Sequence, residues 1–316
     1  MTTLKIKAQR CKQILGGIGI LISLHAHAQY QPQFTQYMFN EMIINPAYAG
    51  ARECLSATLL YRNQWSGIAG APVTETFNIH SPIANQKMGL GLSIVNDKIT
   101  VMQNTGVFAN YAYRLPLTKG KLSFGLQAGV VNHYEKLNEL TPGQSNDPQF
   151  AASTPKLLLP NAGFGLFYYT DKFYAGFSIP KLILNTVDAS ENKKVTNKAS
   201  AKDWHWHLSA GYIASLSETI KLKPTVMIKK VGGSPTELDL SVNALFHDLI
   251  WVGAAYRTGD AVSVLAGVQI TKQLRLGYAY DYTTTALKKF NGGSHEITLG
   301  YDFTFDKTKI VTPRFF

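Results

Sequence analysis

The chain is poor in cysteine and has no long apolar run in its mature part. It has 316 residues and two cysteines, Cys11 and Cys54. Cys11 lies before the position at which we expect the mature chain to begin, so a single cysteine remains and no intramolecular disulfide can form. No apolar run after that position reaches the roughly 18 residues that a membrane-spanning helix needs, which excludes a helical membrane protein. The fold must rely on its own packing or on lipid.

Signatures of nucleotide binding and of common hydrolases are also missing. No Gly-x-Gly-x-x-Gly or P-loop precedes a helical pattern, and no Gly-x-Ser-x-Gly occurs. We therefore expect no cofactor and no enzymatic activity, and a lipid-modifying barrel enzyme has little support. The 31 basic and 20 acidic residues give a net charge of +11. No basic helix or basic-aromatic motif accompanies this charge, so we expect no nucleic-acid partner and assign the excess to anionic lipid headgroups.

Residues 1–28 have the three parts of a secretory signal peptide. Lys5, Lys7, Arg10 and Lys12 precede the apolar run 14–24, and Ala26-His27-Ala28 follows as a small-x-small cleavage site. The run has 11 residues, too few for a membrane anchor, which needs about 20. We predict cleavage after Ala28, which leaves a mature net charge of +7 and places the protein outside the cytoplasm.

Short runs of alternating apolar and polar residues fill the chain from residue 52 onward. Strict alternation predicts strands with one apolar face. The fourteen predicted strands are 53–62, 72–80, 87–96, 105–115, 120–132, 161–169, 173–179, 205–216, 220–231, 236–246, 249–257, 261–271, 274–282 and 294–305. An even number is typical of single-chain bacterial membrane barrels.

The lengths of the predicted connections test this interpretation independently of the strand count. Connections after even-numbered strands are all short, whereas the others include 133–160 and 180–204. Outer-membrane barrels have short periplasmic turns and longer external loops. A soluble sandwich does not explain this alternation. The sequence therefore predicts an all-β protein, a transmembrane antiparallel β-barrel of about 14 strands with a short N-terminal helical segment.

Charged residues recur on the polar faces of the predicted strands, which would line the lumen of a barrel. We expect six of them to form a lumenal network of paired charges and not an acid–base catalytic site: Asp239, Arg257, Arg275, Asp281, Glu296 and Asp302. Aromatic residues near strand ends predict interfacial girdles: Tyr111, Tyr113, Tyr168, Tyr169, Trp204, Trp206, Tyr280 and Tyr282. His205 and His207 could form a metal site, but we favour the girdle and expect no metal.

One stretch before the strands has a different pattern. Phe34, Tyr37, Met38 and Met42 recur at offsets that would share one face of a short helix, which Pro46 would end. We expect this face to pack on the barrel wall. Asparagines at turns cap local backbone groups, and we expect Asn40 and Asn45 to do so.

The same stretch carries a family signature. Asn45-Pro46-Ala47-Tyr48-Ala49-Gly50, preceded by Phe34-Thr35-Gln36-Tyr37-Met38-Phe39-Asn40, resembles the opening of the PorP/SprF family, outer-membrane proteins of the type IX secretion system. Tyr61-Arg62-Asn63-Gln64-Trp65 is similar to the family as well, whereas Glu41-Met42 departs from it. The resemblance implies a non-enzymatic barrel that assists export or surface attachment of adhesins and gliding-motility proteins through their C-terminal domains.

These observations divide the chain into a signal peptide, 1–28, a periplasmic or lumen-inserted segment, 29–50, and an outer-membrane barrel, 51–316. The expected partners are a cargo C-terminal domain, periplasmic and outer-membrane type IX secretion components, membrane lipid and lipopolysaccharide. The alternative function is a porin or small hydrophobic-solute transporter gated by the N-terminal segment. The residues assigned to the partner or plug segment are Phe34, Gln36, Tyr37, Met38, Asn40, Met42, Asn45, Pro46, Tyr48 and Gly50, and those assigned to the first strand end are Tyr61, Arg62, Gln64 and Trp65.

Overall fold

Fourteen antiparallel strands form one closed barrel in the computed structural model, which describes residues 32–140, 153–187, 195–232 and 234–303. The strands are β1 (Leu55–Asn63), β2 (Val73–Ile83), β3 (Met88–Ile99), β4 (Met102–Pro116), β5 (Lys121–Glu135), β6 (Leu157–Tyr169), β7 (Phe173–Ile179), β8 (Trp206–Tyr212), β9 (Ile220–Lys230), β10 (Glu237–Phe246), β11 (Ile250–Arg257), β12 (Ala261–Gln269), β13 (Leu274–Thr283) and β14 (Ser294–Phe303). The predicted signal peptide and residues 304 and 305 of the last predicted strand lie outside the described residues.

Each strand pairs with its neighbours in sequence, and the first and last strands close the ring. Leu55 of β1 lies opposite Phe303 of β14. β7 and β8 pair directly despite the long connection between them. After Ile213, β8 resumes at Ala214–Ser215 and remains paired with β9. Because every strand has two partners, the barrel leaves no exposed sheet edge, which a structure in hydrocarbon requires.

The predicted barrel and all fourteen strands are confirmed, with differences at the strand ends. β3 extends to Ile99, β5 extends to Glu135, and β6 begins at Leu157. The predicted loop 133–160 is therefore shorter, at 136–156. A separate hairpin, Leu184–Val187 paired with Val195–Lys198, lies within the connection between β7 and β8. Among the described residues, no helix is long and apolar enough to cross a bilayer.

The two ends of the barrel differ in their connections. At one end, here called the turn end, every connection has three or four residues; these are 84–87, 117–120, 170–172, 216–219, 247–249 and 270–273. At the opposite end, the loop end, the connections include 64–72, 136–156 and 180–205, although 100–101 and 258–260 are short. This asymmetry assigns the turn end to the periplasm and the loop end to the exterior.

The outer surface is apolar in a way that soluble proteins avoid. Leu126 is 59% exposed, Val264 58% and Leu208 51%, and all three point away from the lumen. A contiguous apolar belt around a closed barrel is the surface that lipid covers. Tyr111, Tyr113, Trp206 and Tyr282 also face outward. Tyr169 does not: it is buried against Phe167 inside the barrel, so its assignment to a girdle was wrong.

Candidate functional site

Residues 32–54, here called the lumenal segment, lie inside the barrel. Residues 34–51 are buried except for the half-buried Phe39 and Ile43. The segment begins beside β13 and β14 near the loop end and descends to the turn end, where β1 begins. It reaches wall strands on all sides, including β2 at His80, β6 at Leu166 and β9 at Thr225.

The lumenal segment consists of three short 3-10 helices, not of one helix with one apolar face. They span Tyr37–Phe39, Glu41–Ile43 and Pro46–Tyr48. Phe34, Tyr37 and Met38 belong to one apolar cluster, whereas Met42 packs in another with Ala47 and Tyr48. The predicted common face was therefore wrong. Apolar residues point in several directions because barrel wall surrounds the segment.

Pro46 begins a helix rather than ending one. It occupies the first helical position, where its missing N–H leaves no partner unsatisfied. The side chain of Asn45 caps this helix by accepting a hydrogen bond from the Ala47 N–H at 3.0 Å. Asn40 makes no such cap; its side chain instead accepts from Asn78 of β2 at 3.3 Å. The expected capping holds for Asn45 and fails for Asn40.

Wall glycines let the Asn45-Pro46-Ala47 turn approach the sheet. A Cβ added at Gly125 of β5 would lie 2.1 Å from the Ala47 nitrogen, and one at Gly165 of β6 would lie 2.0 Å from the Asn45 side-chain oxygen. Asn45 also donates to the Leu166 carbonyl at 2.9 Å. The signature residues therefore require small residues on facing strands, because only glycine leaves room for this backbone contact.

The last residues of the signature turn the chain towards the barrel wall. Gly50 has φ +73° and donates its N–H to the His80 ring at 3.0 Å. Arg114 of β4 donates to the Ala49 carbonyl at 2.9 Å. A side chain at position 50 would be strained by the left-handed backbone and would meet Pro82 at about 3.0 Å.

An outer ion cluster, formed by Arg62, Asp239, Arg257, Asp281 and Glu296, holds the upper end of the lumenal segment. Arg62 is 1% exposed and pairs with Asp281 at 2.6 Å and Glu296 at 3.2 Å. Arg257 pairs with Asp239 at 2.9 Å. The three carboxylates are compensated by the two arginines and by Lys229, which also pairs with Asp239 at 2.9 Å. Such pairing is the condition under which buried ions are tolerated.

The carboxylate of Glu296 binds the backbone of the lumenal segment directly. Its two oxygens accept the N–H groups of Thr35 at 2.9 Å and Gln36 at 2.7 Å. The Thr35 hydroxyl donates to Asp281 at 2.8 Å. Hydrogen bonds to ionised groups are the stronger class, so this end of the segment is firmly held.

An inner ion cluster, Arg52, Arg275 and Asp302, holds the lower end. Asp302 of β14 pairs with Arg52 at 2.7 Å and with Arg275 at 3.1 Å, and it accepts from Ser56 at 2.6 Å. Lys121 pairs with the neighbouring Glu53. Because Arg52 and Glu53 belong to the lumenal segment, both of its ends are tied to the wall by charge.

Two buried groups of opposite charge lie between the two ion clusters. Glu41 and Lys223 of β9 are both 0% exposed. Lys223 donates to the Met38 carbonyl at 2.9 Å and lies 4.7 Å from the centre of the Phe39 ring. Burial raises the pKa of Glu41 to about 7, and neighbouring Tyr174 and Lys223 oppose this effect. The middle of the segment is therefore the part whose charge changes near neutral pH.

The structure brings the six predicted lumenal charges to the inner face, but in two separate groups. Asp239, Arg257, Asp281 and Glu296 lie in the outer ion cluster, whereas Arg275 and Asp302 lie in the inner one. Arg52 and Lys223 were not identified from the sequence as lumenal charges.

Among the residues of the first strand end, Arg62 and Gln64 are buried, and Tyr61 faces outward. Trp65 has φ +52° and donates its N–H to Ser294 at 3.0 Å. Strand alternation gave a signal for Lys223 and Arg62, because Lys223 shares its face with Thr225 and Met227, and Arg62 shares its face with Ser56 and Thr58.

A cavity of about 390 Å³ lies above the lumenal segment at the loop end. Phe34 and Ile43 line it from the lumenal segment, and Phe108, Lys181 and His205 line it from the wall. His205 and His207 thus point inward, while Trp206 between them faces outward. In the described part of the chain, no three His, Cys, Asp or Glu side chains gather as a metal site.

The chain is similar to a secretion family and, more weakly, to barrels of known structure. A family model described as "Type IX secretion system membrane protein PorP/SprF" matches residues 26–301. No curated protein matches. Solved structures similar to this chain include the outer membrane protein Omp33 of Acinetobacter baumannii, at 8% identity, covering 79% of this chain and 96% of that chain, TM-score 0.46. A FadL homologue of Pseudomonas aeruginosa is 13% identical, covering 88% and 96%, TM-score 0.45. The barrel is defined by the strand pairing of this chain itself.

Proposed function

The chain belongs to the PorP/SprF family of type IX secretion system membrane proteins, and we propose that it is a closed, non-enzymatic outer-membrane scaffold. In this role it assists the export or surface anchoring of secreted adhesins and gliding-motility proteins by holding their C-terminal domains. Residues 1–28 act as a cleaved signal peptide that directs export of the chain from the cytoplasm.

The occupied lumen is the observation that supports a scaffold over a conduit. The lumenal segment is tied at its upper end by Glu296 and Arg62 and at its lower end by Asp302. A polypeptide passing through the barrel would have to displace this segment, which would break the hydrogen bonds of Glu296 with Thr35 and Gln36 and the ion pair of Asp302 with Arg52. Buried charged groups that lose hydrogen-bond partners are costly, so the contacts favour a barrel that stays closed and binds its partner at an end.

The loop end is the proposed docking surface for cargo. The connections 136–156 and 180–205 are the longest in the barrel, and both lie at this end. Long loops on a rigid scaffold are where binding sites concentrate. The short connections at the turn end face the periplasmic components of the secretion system, and the apolar belt faces lipid.

Conductance in planar bilayers distinguishes the scaffold from a porin. We expect the wild-type protein to show no steady ion current and a variant lacking residues 30–50 to conduct, because the emptied lumen would admit water. The same deletion should abolish adhesin display on cells. Heat-dependent gel migration, which reports a folded barrel, serves as the control for correct folding. Steady current through the wild-type protein would favour the transporter, and normal adhesin display by the deletion variant would contradict the proposed role of the segment.

A further inference from the structure

The cavity at the loop end contains a lysine that the barrel itself does not neutralise. Lys181 follows β7 and lines the cavity with its half-buried side chain. No carboxylate among the described residues lies within ion-pair distance of its ammonium group. In contrast, Lys229, which also lines the cavity, pairs with Glu237 at 2.7 Å and Asp239 at 2.9 Å. Lys181 is therefore the lining cation that has room for an external anion.

The position of Lys181 is fixed by its neighbours. The Pro180 carbonyl accepts from the Asn161 side chain at 3.0 Å, and the Leu182 N–H donates to the Ala162 carbonyl at 2.9 Å. These bonds on either side hold the backbone against β6. A lysine on a fixed backbone loses less freedom on binding than one on a mobile loop, which suits it to hold a ligand.

The surroundings of Lys181 further disfavour an unpaired charge. Burial lowers the pKa of Lys181. Burial, and to a lesser extent the proximity of Lys181, lowers the pKa of His205 to about 4, so His205 is neutral at pH 7. A neutral imidazole can donate or accept a hydrogen bond without competing for an anion. The two lining carboxylates have partners of their own, since Asp97 accepts from Thr74 at 2.6 Å and Glu237 pairs with Lys229 at 2.7 Å. A negatively charged ligand beside Lys181 would therefore compensate the charge of this lysine.

The rest of the lining indicates what else the ligand contains. Apolar side chains form one part of the surface: Phe34, Val95, Phe108, Val131, Leu159 and Met227. The amide side chains of Asn104, Gln127 and Asn185 form another. The apolar side chains match the side chains of an apolar peptide. The amide side chains can both donate and accept hydrogen bonds, and they match the N–H and C=O groups of the peptide backbone. The cavity volume lies at the small end of the range for ligand pockets, about 300–1,000 Å³, which limits the ligand to a short segment.

We propose that this cavity binds the free carboxylate end of a short apolar peptide segment, with Lys181 as the counter-ion of the carboxylate and the lumenal segment as the floor of the site. The inward position of the cavity separates it from the lipid-facing surface, which disfavours a lipid headgroup as occupant. The proposal rests on the proposed function, since an exported protein held at the loop end would supply the segment.

Binding of a synthetic peptide to the purified full-length barrel in detergent tests the site. The probe is N-acetylated trileucine with a free C-terminal carboxylate, compared by calorimetry with the same peptide as a C-terminal amide. We expect the acid to bind at least tenfold more tightly than the amide. Lys181→Gln should reduce affinity for the acid to that for the amide, and Lys181→Arg should retain most of it. Lys198→Gln, an exposed lysine of the same connection, should leave both affinities unchanged.

Three binding results would overturn the proposal, and a competition experiment supplies a fourth. They are equal affinities of acid and amide, unchanged affinity in Lys181→Gln with normal gel migration, and no binding at millimolar peptide. Competition by inorganic phosphate as effective as by the peptide acid would show a general anion site instead, and would also refute a peptide site. If the peptide fails to bind while the wild-type barrel still displays adhesin and the 30–50 deletion does not, this site is refuted and the proposed function stands.

Discussion

Gly125 shows at the scale of one residue how the wall and the lumenal segment depend on each other. A methyl group there would occupy the space of the Ala47 backbone. We predict that Gly125→Ala lowers the free energy of unfolding by about 1–3 kcal/mol, the usual effect of overpacking. Gly292→Ala is the matched control, because the nearest atom to its added Cβ is 3.6 Å away. Urea unfolding followed by gel migration measures both, and equal stabilities would contradict the close contact.

Glu41 gives the lumenal segment a dependence on pH. Its pKa is about 7 in the folded protein against an ordinary value of 4.5. At pH values between 4.5 and about 7, the Glu41 carboxyl is more often protonated in the folded chain than in the unfolded chain. The free energy of unfolding therefore falls as the pH rises and levels off above about pH 7.

We predict that the stability of the wild-type protein relative to Glu41→Gln decreases between pH 4.5 and pH 7. The decrease should be on the order of 3 kcal/mol, from 1.36 kcal/mol per pKa unit. Titrating groups remote from Glu41 largely cancel in the difference, which therefore reports Glu41 together with the neighbouring Lys223. Unfolding in urea at three pH values measures it, and parallel stability curves would show that Glu41 does not titrate in this window.

At the scale of elements, the lumenal segment behaves as part of the wall because Arg62 joins it to two strands. Arg62 compensates Asp281 of β13 and Glu296 of β14, and it also donates to the Thr35 hydroxyl at 2.9 Å. Removing one partner of a buried ion pair leaves a charge without compensation, which typically costs about 3–5 kcal/mol.

We predict that Arg62→Ala destabilises the barrel by about that amount and exposes the lumenal segment to protease. Adding Glu296→Gln should restore part of the lost stability, because it removes one uncompensated charge. Lys136→Ala, which breaks an exposed pair with Glu139, should change neither property. A loss in Arg62→Ala no larger than that in Lys136→Ala would mean that the outer ion cluster does not hold the segment.

At the scale of the whole molecule, the two ends of the barrel should have different partners. We predict that a photo-crosslinking residue at Thr196, in the loop-end hairpin, captures an exported adhesin in cells, whereas one at Asn85, in a turn-end connection, does not. Both positions are exposed, so accessibility to solvent does not explain a difference. Capture of adhesin from Asn85 alone would place cargo on the periplasmic side and contradict the proposed orientation.

The sequence by itself determined the barrel and the difference between its two ends. Alternation with a period of two requires only local information, since successive side chains of a strand point to opposite faces. For that reason β13 and β14 had their inward residues assigned correctly, including Asp281 and Glu296. Connection lengths are likewise read directly from the chain, and they identified the turn end and the loop end.

Only the tertiary structure decided what fills the lumen and how it is held. Thr35 and Glu296 are 261 positions apart in the sequence, and no local pattern pairs them. The four apolar residues of the opening stretch fit a helical spacing, which predicts one apolar face. A segment enclosed on all sides has no solvent-facing side. It forms three 3-10 helices, and its apolar groups point in several directions. Ring closure pairs the first strand with the last, so that Arg62 lies opposite Glu296 near one end of the pair and Ser56 lies opposite Asp302 near the other.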